Sequence, residues 1–172
     1  VKALKGLYPD MSVLYLDAHA DLRDEYMGTP WGHASVARRL HELCDLVQVG
    51  VRSLSAPEMR FIREAGLPVT FWPPGVSDRR ELHSSVVEAL SPRVYISIDL
   101  DVLDPSIMAA VGTPEPGGMG WEDVIGLLRA VCGQREIVGF DVTELSPDEG
   151  PEACAFTAAK LTYRLIGYAT SS

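Results

Sequence analysis

Lysine is nearly missing from this chain: after Lys5, the next lysine along the sequence is Lys160. The sequence carries 24 acidic residues against 15 basic ones, which gives a formal net charge of −9 at neutral pH and a pI of about 4.8. This excess of negative charge disfavours nucleic acids and anionic membranes as partners, because both would be repelled. The same excess suits small cationic substrates or metal ions.

Cysteine and long apolar runs are also scarce. The three cysteines, Cys44, Cys132 and Cys154, lie far apart and form no metal-type or redox pair, so we interpret them as reduced core thiols of a cytosolic protein. No apolar stretch reaches membrane-spanning length, and no signal peptide is recognisable. The sequence therefore predicts a cytoplasmic location and no association with membranes.

No internal repeat, low-complexity tract or linker divides the 172 residues, of which 47% are hydrophobic. That length and composition predict a single domain, residues 1–172, with a sizeable core. The chain begins with Val1 rather than Met, and residues 2–8 look like the end of a helix. We therefore expect this domain to be incomplete at its N-terminus, as in a fragment of a longer protein.

Short apolar segments alternate with amphipathic ones along the chain. Most of the apolar segments lack polar alternation, which is typical of strands covered on both faces. The predicted strands are residues 12–16, 46–51, 69–71, 94–98 and 137–142. The predicted helices are residues 34–43, 57–65, 78–90, 121–132 and 152–168. This alternation predicts an α/β fold with a mostly parallel sheet.

Acidic residues follow three of the predicted strands, at the point where each strand ends. Residues 17–21 read Asp-Ala-His-Ala-Asp, residues 99–101 read Asp-Leu-Asp, and residues 141–144 read Asp-Val-Thr-Glu. Open α/β sheets bind ligands at the carboxyl ends of their strands, so these side chains are expected at one rim. On extended backbone, residues two apart point the same way, which would place Asp99 and Asp101 side by side.

Five side chains are the candidate metal ligands: Asp17, His19, Asp21, Asp99 and Asp101. Any one of these motifs alone could be a turn or a capping cluster, but their joint occurrence at strand exits favours a site. Repulsion among four half-buried carboxylates requires counter-charge, and divalent cations supply it where lysine is absent. Carboxylates with some imidazole favour Mn²⁺ over structural Zn²⁺. Five ligands exceed the need of one catalytic ion, so we predict two, about 3.5–4 Å apart, which would lower the pKa of water between them.

Four blocks of the sequence resemble the signature blocks of the ureohydrolase family. They are residues 13–21 (VLYLDAHAD), 97–105 (SIDLDVLDP), 112–118 (GTPEPGG) and 139–147 (GFDVTELSP). That family contains arginase, agmatinase, guanidinobutyrase, proclavaminate amidinohydrolase and formimidoylglutamase. The resemblance implies a three-layer α/β/α domain of the arginase type and hydrolysis of a guanidino group to urea and an amine. It also implies a homo-oligomer, a trimer or a hexamer.

The resemblance implies a role for several side chains. The five candidate ligands match the family's di-manganese centre, with Asp17 and Asp99 at the positions that bridge the two ions. Glu144 matches the acid that binds the substrate guanidinium, and His33 matches the histidine proposed to shuttle protons. Considered alone, Glu144 could be a surface acid and His33 a helix-start residue. Thr113 lies in a Gly-Thr-Pro turn and either lines the pocket or serves the turn alone.

The loop at residues 22–31 bears on the substrate. It carries two acids and neither Asn nor Ser, whereas arginases use such groups to hold the amino-acid end of arginine. Agmatine ends in an ammonium instead, which Asp24 or Glu25 could meet. The Pro-Glu-Pro-Gly-Gly form of the third block also resembles agmatinase. We therefore predict hydrolysis of agmatine to putrescine and urea, with arginase, guanidinobutyrase or formimidoylglutamase activity as alternatives.

One departure from the family pattern leaves further alternatives open. The family carries another histidine ligand in a Gly-Gly-Asp/Glu-His block, and none of the 16 residues before Asp17 is a histidine. We therefore expect weaker metal binding and low activity for this chain. A catalytically impaired relative that serves as an assembly or regulatory subunit is one rival hypothesis. A deacetylase-type hydrolase with a single Zn²⁺ is another, which the paired Asp99 and Asp101 disfavour.

Overall fold

The computed structural model describes residues 1–75 and 78–171. Its strands are β1 (Ser12–Leu16), β2 (Leu46–Val51), β3 (Val69–Phe71), β4 (Arg93–Asp99) and β5 (Glu136–Thr143). Its α-helices are α1 (Lys2–Leu7), α2 (Val36–His41), α3 (Ala56–Ala65), α4 (Arg79–Ala89), α5 (Trp121–Cys132) and α6 (Ala153–Thr170). Single 3₁₀ turns occur at His33–Ser35, Leu100–Val102 and Pro147–Glu149.

All five strands are parallel and lie in the order β3-β2-β1-β4-β5. The chain therefore starts in the middle of the sheet, moves outward to β3, and returns to the other side of β1 with β4. The strand order thus reverses between β1 and β4, whose register pairs Leu16 with Ile98. A reversal of this kind opens a crevice at the carboxyl ends of the two strands, where α/β proteins bind ligands.

Helices cover both faces of the sheet and produce three layers. On one face, side chains such as Leu14 and Ile96 pack with residues of α4, α5 and α6. On the other face, Val13 and Val51 pack with Leu40 of α2 and Ile62 of α3. The predicted three-layer α/β/α fold with a parallel sheet is confirmed. Among the residues described, no helix combines the length and apolar character that a membrane-spanning segment requires.

The predicted elements agree with the structure except at a few ends and at the sheet edges. The segment predicted as one helix over residues 34–43 begins instead with the 3₁₀ turn His33–Ser35 and ends at His41. The central strands β1 and β2 are buried throughout. Most residues of β3 and β5 are only partly buried, because each of these strands pairs on a single side. Residues of β5 still pack on both faces of the sheet, since Phe140 and Val142 contact one core cluster and Val138 contacts the other.

Candidate active site

The acidic motifs after β1 and β4 meet at the reversal of strand order. Leu16 and Ile98 are register partners, so Asp17, directly after β1, and Asp99, the last residue of β4, lie at the same level of neighbouring strands. Asp17 is 1% exposed, Asp99 is 8% exposed and Asp101 is 2% exposed. These carboxylates are thus withdrawn from water, at the position that the sequence predicts for them.

Hydrogen bonds to main-chain amides hold the two motifs in place. Asp17 Oδ1 accepts a hydrogen bond from the backbone N–H of His19 at 2.6 Å. Asp101 Oδ1 accepts one from the N–H of Ala18 at 3.0 Å, which ties the second motif to the first. Asp99 Oδ1 accepts one from the N–H of Asp101 at 3.0 Å. The backbone after Asp99 forms the 3₁₀ turn Leu100–Val102, so the expectation that Asp99 and Asp101 share an extended segment was wrong.

His19 lies between the carboxylates of Asp17 and Asp101. Its Nδ1 is 2.9 Å from Asp101 Oδ2 and 3.5 Å from Asp17 Oδ1. One possible ligand atom from each of these three residues lies within 4.8 Å of the others, which is a separation that one metal ion can bridge. The structure therefore brings three of the five predicted ligands into a cluster of the size that a metal ion requires.

Asp21 and Asp99 line the same cavity as this cluster. Asp21 adopts a left-handed conformation with φ of 51°, which costs energy for a residue with a side chain. Its Oδ2 accepts a hydrogen bond from the hydroxyl of Tyr15 at 3.0 Å. A strained residue whose side chain is held by a buried tyrosine is typical of a functional site.

Burial and mutual repulsion disturb the titration of the cluster. Burial, with the charge of Asp17, raises the pKa of Asp99 to about 9 and that of Asp21 to about 8. Burial also raises the pKa of Asp17 to about 6. The hydrogen bond to Asp101, followed by that to Asp17, raises the pKa of His19 to about 10. A multivalent cation would favour the ionised carboxylates, because metal ligands must be deprotonated.

The donor set fits divalent cations of the Mn²⁺ type. Four of the five side chains are carboxylates, and one imidazole completes the set, which is the chemistry that Mn²⁺ accepts. None of the three cysteines lines the cavity. Because the residues present fit such ions, Asp17, His19, Asp21, Asp99 and Asp101 are the groups that would hold them.

Three further predicted site residues lie around a cavity of about 710 Å³ at the same rim. Glu144, Thr113 and His33 all line it. Glu144 follows β5 and, like Asp21, has a left-handed backbone, with φ of 65°. The ring of His33 packs edge-on against that of Tyr26, with 5.5 Å between the ring centres. Three separate segments of the chain thus face the acidic cluster.

Asp24 is placed differently from the other candidates. Its carboxylate accepts a hydrogen bond from Arg39 Nη2 at 2.8 Å, and the residue does not line the cavity. The side chain is 77% exposed. The structure therefore does not bring Asp24 together with the acidic cluster, because the salt bridge to α2 draws the carboxylate away from the rim. Glu25, the other acid of this loop, does not line the cavity either.

Some residues around the cavity were not assigned to the site from the sequence. Asp141 lines the cavity and accepts hydrogen bonds from Tyr95 and Ser97, each at 2.7 Å. Glu58 is 4% exposed, and its carboxylate accepts hydrogen bonds from the backbone of Leu22 and Ser55. Alternation along the strands could have revealed Tyr95 and Ser97, since residues two apart share a face with Asp99. The Ser55-x-x-Glu58 spacing is a local capping-box pattern, but it does not reveal the contact of Glu58 with Leu22, which lies 36 residues away.

Comparison with known proteins identifies the class of protein to which this fold and site belong. The profile of the Arginase family matches residues 1–167, so the chain belongs to the arginase family. The predicted resemblance to ureohydrolases is therefore confirmed.

Individual relatives are also similar to the chain. It is 44% identical over 169 residues to the N(1)-aminopropylagmatine ureohydrolase of Thermus thermophilus, with 97% of this chain and 57% of the relative covered. It is 39% identical over 165 residues to the agmatinase of Pyrococcus horikoshii, with 95% and 57% covered. The solved structure of the agmatine ureohydrolase of Thermoplasma volcanium superposes with a TM-score of 0.83 at 33% identity, with 93% and 55% covered. The chain thus spans little more than half the length of these relatives.

Proposed function

We propose that the protein is a manganese-dependent ureohydrolase that hydrolyses agmatine to putrescine and urea. The observation that carries this proposal is the convergence of four carboxylates and His19 at one rim, in a cavity that Glu144 also lines. The names of the relatives support the reaction class. The negative net charge of −9 favours a cationic substrate, because it attracts one over long range.

Two Mn²⁺ ions held by the five ligand residues would supply an activated water and positive charge near the reacting carbon. The protein's own groups bind and orient the substrate. The carboxylate of Glu144 can accept two parallel N–H bonds from a guanidinium, which stays protonated and planar at physiological pH. Such a pair fixes the central carbon toward the acidic cluster, and this positioning lowers the barrier by removing rotational freedom.

His33 completes the reaction by moving a proton. Water adds its oxygen to the guanidinium carbon, the bond from that carbon to the alkyl-bearing nitrogen breaks, and this nitrogen must gain a proton to leave as an amine. An imidazole has an ordinary pKa near neutrality, which suits a group that takes a proton and returns it. His33 lines the cavity, and its ring packs on Tyr26. We assign it the transfer of that proton.

A second substrate has a specific observation in its favour. The Thermus thermophilus relative, at 44% identity, is named for N(1)-aminopropylagmatine, and the Pyrococcus horikoshii relative is named agmatinase. Both substrates are linear guanidines with a distal amine and no carboxylate. The two differ in length, so residues remote from the acidic cluster would distinguish them.

The experiment that tests the proposal measures urea release by the Mn²⁺-loaded protein from four compounds. Agmatine, N(1)-aminopropylagmatine, arginine and 4-guanidinobutyrate are compared by kcat/KM. We expect one of the two compounds that lack a carboxylate to be preferred. A higher value for the aminopropyl compound would shift the assignment to the longer substrate, and a preference for arginine would refute the proposal. We further propose a homo-oligomer, a trimer or a hexamer, which light scattering of the purified protein would test.

A further inference from the structure

Arg52 lies just after β2 and does not line the cavity, yet its guanidinium contacts the loops that carry the ligands. It is partly buried, and its donors face main-chain carbonyl oxygens rather than carboxylates. The acceptors are the carbonyls of Glu115 at 2.6 Å, Asp101 at 2.8 Å, Gly50 at 3.2 Å, Pro116 at 3.2 Å, Val102 at 3.3 Å and Leu103 at 3.5 Å. We call this set of contacts the Arg52 clamp.

The Arg52 clamp joins both ligand-bearing segments. Its side chain donates to the carbonyl of Asp101, and its backbone N–H donates to the carbonyl of Ala18 at 2.8 Å. The N–H of Ala18 in turn donates to Asp101 Oδ1. Arg52 thus binds the carbonyl oxygens of both Ala18 and Asp101, the two residues whose hydrogen bond connects the motif after β1 with the motif after β4.

The clamp also holds the loop that carries Thr113. A Cβ atom on Gly118 would lie 2.6 Å from Arg52 Nη2 and 2.6 Å from the backbone nitrogen of Asp104, so only glycine fits there. Asp104 Oδ2 accepts hydrogen bonds from the N–H groups of Gly117 and Gly118, at 2.9 and 3.0 Å. The loop is therefore fixed from one side by a guanidinium and from the other by a carboxylate.

We propose that Arg52 is a positioning residue for the metal centre, and that its guanidinium fixes the backbone of Asp101 relative to that of Asp17. The inference rests on the metal centre proposed above. A planar guanidinium has five N–H donors and can hold several carbonyls from different segments at once. A lysine keeps the charge but has three donors on a flexible stem, and so cannot reproduce the clamp.

The test compares Arg52→Lys with Arg135→Lys in the full-length protein. Arg135 is the matched control because it also donates to main-chain carbonyls, those of Val87, Leu90 and Gln134, away from the cavity. The probe is Mn²⁺ alone, and its dissociation constant is measured by isothermal titration calorimetry, with circular dichroism and the melting temperature as checks of folding. We expect Arg52→Lys to weaken Mn²⁺ binding by about 10- to 100-fold, the range for residues that orient metal ligands, and Arg135→Lys to change it by less than about twofold.

A second pair of variants keeps the inference testable if Arg52→Lys does not fold. Gly118→Ala retains the arginine but crowds Arg52 Nη2 and the backbone of Asp104, whereas Gly167→Ala adds a methyl group that meets no atom within 4 Å apart from its chain neighbours and the backbone of α6. We expect only Gly118→Ala to weaken Mn²⁺ binding. Wild-type affinity in Arg52→Lys or in Gly118→Ala, or an equal loss in Arg135→Lys, would overturn the role of the clamp while leaving the metal centre intact. Failure of the wild-type protein to bind Mn²⁺ would overturn the metal centre itself.

Discussion

The two ends of the central strands place acidic residues in opposite environments. At the amino ends, Arg93 Nη1 lies 3.1 Å from Asp10 Oδ1, and Arg93 Nε lies 3.1 Å from Glu136 Oε2. All three side chains are well exposed. At the carboxyl ends, Asp17 and Asp99 are buried without an arginine or lysine salt-bridge partner among the residues that the structure describes. The hydrogen bond from Arg93 lowers the pKa of Asp10, whereas burial raises that of Asp99 to about 9.

The acids at the two ends of the strands differ in burial and in the charge of their partners. An exposed acid beside an arginine is satisfied within the chain and adds little to stability. Buried acids without a basic partner are costly in the metal-free chain, and they are tolerated where a ligand compensates for them. The predictions that follow test whether the carboxyl ends of the strands carry that ligand.

The largest effect is expected from Asp99→Asn. The amide cannot supply the negative charge that two cations require, so Mn²⁺ affinity should fall by more than about 100-fold, and urea release should fall below detection. Asp10→Asn is the matched control, since it makes the same change in an exposed acid at the other end of the sheet. Isothermal titration calorimetry would measure Mn²⁺ affinity, and a urea assay would measure activity, for both variants. If Asp99→Asn and Asp10→Asn had similar Mn²⁺ affinity and urea release, the carboxyl ends of the strands would not be the functional end of the sheet.

His33→Asn should affect chemistry without affecting metal binding. Loss of a group that transfers protons typically lowers kcat by about 10²- to 10⁴-fold, and His33 does not contact the acidic cluster through a hydrogen bond or salt bridge in the structure. His41→Asn serves as the control, because His41 packs against Phe61 away from the cavity. Steady-state kinetics at saturating Mn²⁺ would check this prediction. An unchanged kcat in His33→Asn would remove His33 from the mechanism.

Tyr15→Phe should reduce Mn²⁺ affinity by less than Asp99→Asn does. The substitution deletes the hydroxyl that donates to Asp21 Oδ2 and leaves the buried ring in place. We expect Mn²⁺ affinity to fall by about 10-fold, at the lower end of the range for groups that orient metal ligands. Tyr163→Phe is the control, since Tyr163 is 70% exposed on α6. Equal affinities in the two variants would show that the hydroxyl of Tyr15 does not orient Asp21.

The smallest effect concerns the stability of the metal-free protein. Asp21 and Asp99 have folded pKa values of about 8 and about 9, above the ordinary value of 3.8. Between the ordinary value and these raised values, the folded state therefore binds more protons than the unfolded state. Stability that is present below about pH 4 is therefore lost as the pH rises toward about 9. We expect the melting temperature with chelator to fall by roughly 5 °C across this range, and Mn²⁺ to prevent the fall. Melting curves that do not depend on pH or on Mn²⁺ would contradict this account.

Local patterns were sufficient for most of the fold. Ser12–Leu16, Leu46–Val51 and Val69–Phe71 were predicted with their observed bounds, and so was the helix Trp121–Cys132. Runs of β-branched residues and the spacing of apolar residues in helices are properties of neighbouring residues, so they are visible in one dimension. The ends of α2 were harder to predict, because a 3₁₀ turn and an α-helix begin with similar residues.

The acidic motifs can be recognised from the sequence because each of them lies at or near the carboxyl end of a strand. A parallel sheet brings the carboxyl ends of its strands to one rim. The proximity of Asp17, His19 and Asp101, and hence their role as candidate metal ligands, could therefore be predicted from their positions at the ends of predicted strands. Asp24 shows the limit of this reasoning. Its carboxylate bonds to Arg39, 15 residues away, and the loop sequence does not reveal which of several charged neighbours it meets.

The class of fold, the helices and strands, and the acids at the strand ends could all be predicted from the sequence, since each depends on residues close together in the chain. The three-dimensional arrangement was needed to show which carboxylates share a cluster and that Arg52 binds the carbonyl of Asp101, 49 residues away. The physical reason is that a guanidinium binding carbonyl oxygens recognises backbone, and backbone carries no signature of residue type.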